Sequence, residues 1–163
     1  MSWRDIPSRA WFATLALGAV GLVAVGMELQ VLLRLAPCPL CIFQRLLYLT
    51  IGALALLGTF LPGRPLWGGL IALTGLGGSA VAAYQSWMQA YPELATACGY
   101  AEPNAIERLV DFLGMQWPTL FLATGFCTSR DWVFLGLSMA NWSVPIFLGF
   151  AGFGAWLAVR RKA

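Results

Sequence analysis

The sequence has no histidine, and only 10% of its 163 residues carry charge. The missing histidine takes away the commonest general base and the commonest metal ligand. A water-soluble domain carries roughly 25% charged residues, so this chain lacks the charge to cover itself in water. That excludes a disordered chain, an ordinary soluble enzyme and a nucleic-acid-binding protein. The net charge of +3 is small, and its meaning lies in where the charges sit. What remains is apolar: 60% hydrophobic residues, 13% aromatic residues and a mean hydropathy of +0.75. These are the proportions of an integral membrane protein.

Charge-free stretches cover residues 10–27, 46–63, 65–92, 112–129 and 132–159. A helix needs about 20 largely apolar residues to cross ~30 Å of hydrocarbon. The stretch at 112–129 holds Gln116, Pro118, Thr119, Thr124, Gly125, Cys127 and Thr128, too polar a mixture for a lipid-exposed helix. A fifth span would also set Arg160, Arg161 and Lys162 across the membrane from Arg4, Arg9 and Arg64, against the positive-inside rule. The sequence therefore predicts an all-α, four-helix membrane bundle in one domain, with spans at about 11–33, 41–61, 67–88 and 142–159. Both termini are expected on the cytoplasmic side, and the outer loops at about 34–40 and 89–141. The first apolar run is too long for a cleaved signal peptide.

Finer features follow from spacing. Asn141 or Ser143 is expected to cap the last span, with Pro145 in its first turn. Gly75, Ser79 and Ala83 form a small-residue stripe suited to close helix packing. In the long loop Ile106, Leu109, Val110 and Leu113 recur at helical spacing, with Glu107, Arg108 and Asp111 opposite them. This predicts a short amphipathic helix, lying on the membrane surface or packed on the bundle.

The four cysteines, Cys38, Cys41, Cys98 and Cys127, all fall in the outer segments, where an oxidising compartment would pair them. Read structurally, they make two staples, the one between Cys98 and Cys127 worth about 3.5 kcal/mol in the chain-entropy model. A scaffold or transporter subunit with two inert disulfides is that alternative, and a four-thiolate zinc site is a further one. Cys38-Pro39-Leu40-Cys41 fits redox chemistry better, because a disulfide across two residues constrains almost nothing. Pro39 suits the first helical position, Cys38 the N-cap and Cys41 the first turn, where the helix end favours a thiolate. Arg45, four residues on, shares the face of Cys41, and its side chain leans back toward the sulfur. A charge near membrane depth is costly unless it has a task. With no haem, nucleotide or iron–sulfur motif present, elimination leaves a lipid-soluble carrier as the expected electron acceptor, with a quinone the obvious candidate.

Three segments carry a resemblance: Pro37 through Arg45 (PCPLCIFQR), Thr96 through Gly99 (TACG) and Cys127 through Gly136 (CTSRDWVFLG). Together they resemble the bacterial disulfide bond formation protein B (DsbB) family over nearly the whole chain. Relatives of vitamin K epoxide reductase carry their loop cysteines before the Cys-x-x-Cys, and here the order is reversed. The resemblance implies a protein-dithiol:quinone oxidoreductase that reoxidises DsbA, a periplasmic thioredoxin-fold oxidase, and reduces ubiquinone or menaquinone. That relay is known to keep the bacterial periplasm oxidising. It further implies that Cys98 meets DsbA, that Cys127 attacks Cys38, and that Cys41 is freed as a thiolate facing the quinone beside Arg45. Gln30 matches a common family glutamine, Val31 stands where histidine is frequent, and Ser86 is aligned with a histidine found near the quinone in some members. The resemblance thus adds Gln30 and Ser86 as cofactor contacts, and implies no metal.

Overall fold

In the computed structural model, which describes residues 7–93 and 104–160, four helices are long and apolar enough to cross a membrane. They are α1 (Ser8–Leu32), α2 (Pro39–Phe60), α3 (Arg64–Ala90) and the last helix, α6 (Met139–Val159). Between α3 and α6 come α4 (Ala105–Gln116), the short α5 (Pro118–Phe121) and a two-stranded hairpin, β1 (Val133–Phe134) and β2 (Leu137–Ser138).

Local chemistry sets the helix ends. Cys38 is the N-cap of α2, its sulfur accepting the Cys41 N–H at 3.3 Å, with Pro39 in the first turn. Gly63 precedes α3 in the left-handed region at φ 100°, which costs glycine no Cβ clash. Asn104 and Glu107 form a capping box at the start of α4. The cap of α6 differs from expectation. Ser138 takes the Asn141 N–H, and Pro145 lies inside the helix rather than in its first turn. The hairpin ends at Ser138, so the helix begins where the ladder stops.

Helices α3 and α6 approach backbone to backbone. A Cβ on Gly68 would sit 2.7 Å from the Gly154 carbonyl oxygen, and one on Gly75 would sit 2.8 Å from the Ala151 nitrogen. The buried face of α3 includes Gly68, Gly75, Gly78, Ser79 and Ala82, so the expected stripe holds at Gly75 and Ser79 and fails at Ala83. A strict four-residue repeat drifts around a 3.6-residue helix, so Ala83 turns outward and Ala82 takes the buried position. Gly75→Ala is expected to cost about 1–3 kcal/mol, because the obstructing atoms are backbone and have nowhere to go. Gly77→Ala meets open space and should be neutral or slightly stabilising. Thermal melts of the two variants in detergent, followed by helical circular dichroism, check this.

The amphipathic loop helix packs on the bundle through one face: Val110 is buried with Ile42 and Phe121, and Ile106 and Leu113 pack beside them. Phe112 and Met115 remain exposed on the other side.

Candidate functional site: a three-cysteine centre above an apolar cavity

Cys38 and Cys127 are buried, at 2% and 0% exposure, in one cluster with Leu40 and Met88, and Cys41, Val81 and Ile106 pack against it. The Cys38 and Cys41 sulfurs are 3.0 Å apart, with Cys38 donating. That is longer than a disulfide of about 2.05 Å and close enough to become one. Cys127 also hydrogen-bonds with Cys38. Its hydrogen bond, then that with Cys41, then burial push the Cys38 thiol well above the ordinary cysteine value. Cys38 therefore keeps its proton, as a donor should.

Cys127 reaches Cys38 because the two outer loops are joined beside it. The Thr124 and Gly125 N–H groups both donate to the Pro37 carbonyl oxygen, at 2.9 and 3.0 Å. Gly125 is required at this joint: a Cβ there would collide with the Ala36 carbonyl oxygen. A second tie comes from Arg45, whose Nη1 donates to the Leu120 carbonyl at 2.6 Å and whose Nη2 donates to Gln30 Oε1 at 2.7 Å. Gln89, at the end of α3, supplies the third. Its Nε2 donates to the Ser129 carbonyl, its Oε1 accepts from Ser138 Oγ, and its own carbonyl accepts from Arg130.

Below the sulfurs lies a cavity of about 360 Å³, lined by Cys38, Cys41, Arg45 and Gln30 and by apolar residues of α1 and α6. Arg45 and Cys41, four residues apart on α2, both line it. Leu22 and Val25 of α1 line the cavity yet are 37% and 59% exposed, so it opens sideways, toward the apolar surroundings of the helices. The size falls within the 300–1,000 Å³ usual for small-molecule sites. Apolar walls with a few N–H donors at one end fit a flat ring bearing carbonyl oxygens and an apolar tail, which is the form of a quinone.

The structure thus brings Cys38, Cys41, Cys127, Arg45 and Gln30 together. Cys98 lies outside the described residues. Ser86 is not in this group: its hydroxyl donates to the Ala82 carbonyl at 2.8 Å and it does not line the cavity. The neighbouring Gln85 lines it instead, one residue and about 100° around the helix. Gln44, Gln85 and Gln89 are cavity-lining polar residues that the sequence reading did not single out. The available signal was an amide pair at i and i+4 near the end of an apolar span, since polar groups at membrane depth tend to be functional.

Comparisons with known proteins identify the family. The family profile described as "Disulfide bond formation protein DsbB" matches residues 8–157. A curated protein of Dechloromonas aromatica named "Disulfide bond formation protein B" is 68% identical over 157 residues, covering 96% of this chain and 95% of that protein. Proteins of the same name from Azoarcus sp. and Nitrosomonas europaea are each 40% identical, covering 86% and 88% of this chain and the same shares of their own lengths. This four-span helical chain, matched over almost its full length, belongs to the disulfide bond formation protein B family.

Proposed function

We propose that this disulfide-forming membrane protein is a protein-dithiol:quinone oxidoreductase that reoxidises a DsbA-type thioredoxin-fold partner in the periplasm. The observation that carries the reading is the placing of Cys127 against Cys38, with Cys41 and Arg45 on the cavity that opens sideways. A structural staple needs no side opening. Both chain ends lie in the cytoplasm in this reading, as the basic residues there require.

The electrons balance as follows. Cys98 and Cys127 begin as a disulfide, which the partner's dithiol reduces while becoming a disulfide itself. Cys127 then attacks Cys38: the Cys38–Cys127 bond forms, the Cys38–Cys41 bond breaks, and Cys41 leaves as a thiolate. Cys98 attacks Cys127 next, restoring the loop disulfide and releasing Cys38 as a thiol. Two electrons and two protons now reside on Cys38 and Cys41. A bound quinone, ubiquinone or menaquinone, supplies the two-electron, two-proton acceptor that returns this pair to a disulfide.

The chain's own residues prepare each step. Arg45, oriented by Gln30 and the Leu120 carbonyl, places a fixed positive charge beside the Cys41 sulfur and presents N–H groups toward a head-group oxygen. Leucines and valines of α1 exclude water from the inner cavity. Burial of Cys38 and Cys127 keeps outside thiols from the interloop bond.

The test uses purified chain in detergent, excess reduced DsbA-type protein and a short-chain ubiquinone, followed by ultraviolet absorbance, with a menaquinone analogue in parallel. The expected result is one quinone consumed per partner disulfide formed. No consumption of either quinone overturns the reading.

A further inference from the structure

The buried amide pair Gln44–Gln85 is used by none of the steps above. Gln85 is 1% exposed, and its Nε2 lies within hydrogen-bond distance of both sulfurs, 3.2 Å from Cys38 and 3.0 Å from Cys41. Its Oε1 accepts from Gln44 Nε2 at 2.7 Å. We propose that Gln85 is a catalytic residue of the cysteine pair, donating to both sulfurs and holding the negative charge on Cys41, and that Gln44 is the positioning residue that orients it. The inference rests on the reading that Cys38 and Cys41 cycle between dithiol and disulfide.

Neutral thiol sulfur is a weak acceptor, so two buried amide donors gain little from a pair of neutral thiols. Bonds to an ionised acceptor are roughly twice as strong, which is what makes this geometry favourable. Both sulfurs lie within reach of the Gln85 amide, and Cys38 accepts the Cys41 N–H as well. What separates them is the thiol proton, which Cys38 donates to Cys41, leaving Cys41 to carry the charge. Gln44 fixes the sense of the Gln85 amide, because turning it over would set Oε1 against the sulfurs and leave Gln44 facing another donor. An amide has no proton to gain or lose near neutrality, so this support does not change with pH. In a chain without histidine it supplies a donor where no imidazole can.

The experiment uses the full chain with Cys98→Ser and Cys127→Ser, which leaves Cys38 and Cys41 as its thiols. The reduced protein is treated with iodoacetamide between pH 5 and 10 and the alkylation rate is followed by mass spectrometry. Gln85→Leu, of similar bulk with no donor, is expected to slow alkylation of Cys41 about tenfold at pH 7. The gap should close at high pH, where the thiol ionises unaided. Gln85→Glu, of the same shape but acceptor-only when ionised, should slow it at least as much, and serves if the leucine variant does not fold. Gln44→Leu should give a smaller loss of the same pH form. Circular dichroism confirms helix content. Profiles for Gln85→Leu and Gln85→Glu that superimpose on the parent overturn the inference. Slowed alkylation in a protein whose unaltered form reduces no quinone supports this inference and overturns the proposed function, so the two failures are distinguishable.

Discussion

Cys41→Ser is expected to abolish quinone reduction, by about three orders of magnitude or more, the scale on which removal of a nucleophile acts. Serine fills the same space but forms no disulfide, and its hydroxyl stays protonated at neutral pH. The substitution therefore removes the only group that can leave from Cys38 and carry charge beside Arg45. The neighbouring chemistry should survive it. Cys127 still lies against Cys38, so the Cys38 thiol can attack Cys127 in the loop disulfide, forming the Cys38–Cys127 bond and releasing Cys98 as a thiol; with no Cys41 thiol to attack Cys38 in turn, that bond should accumulate. Non-reducing gels of proteolysed protein show that species directly. Quinone turnover persisting in Cys41→Ser would mean that electrons leave by another route and that the cavity geometry has been misassigned.

Gly125→Val should be nearly as damaging although it touches no sulfur. Its side chain would occupy the place of the Ala36 carbonyl oxygen, and neither backbone can retreat without breaking the two N–H bonds to Pro37. The joint lies next to Cys38 on one strand and two residues from Cys127 on the other. A displacement of about 1 Å between reacting groups can cost roughly a hundredfold in rate. The clean measurement is Cys38–Cys127 bond formation under mild oxidant, in a chain whose Cys41 and Cys98 are serine. A hundredfold slower crosslink with unchanged helix content is the expected result. An unchanged crosslinking rate would show that the joint does not set the approach of Cys127.

The features legible in the sequence are those decided within one helical turn or by burial in lipid. The four spans followed from charge-free length. The cap at Cys38 and the first-turn proline are neighbours in the sequence, and Arg45 shares the Cys41 face of the same helix one turn on. Partners supplied from another helix were not legible. Gln85 meets Cys38 and Cys41 across more than forty positions, and a one-residue difference in register separates it from Ser86, whose hydroxyl turns back to its own helix. The hairpin was hidden for a different reason. Its turn places Leu135 at φ 53° and Gly136 at φ 79°, and leucine there lacks the Asn-Gly or Asp-Gly signature that marks such turns. Gly125 reads as an ordinary loop glycine until its neighbour across the joint is known.

The side opening at Leu22 and Val25 has a consequence for how such a protein must be assayed. A reactant arriving through that wall comes from a two-dimensional lipid phase, while the thiol partner arrives from bulk water. On the proposed function, the quantity that saturates the cavity is molecules of quinone per molecule of lipid or detergent, not moles per litre. Diluting a fixed amount of quinone into twice as much detergent should halve the initial rate below saturation, with every aqueous concentration unchanged.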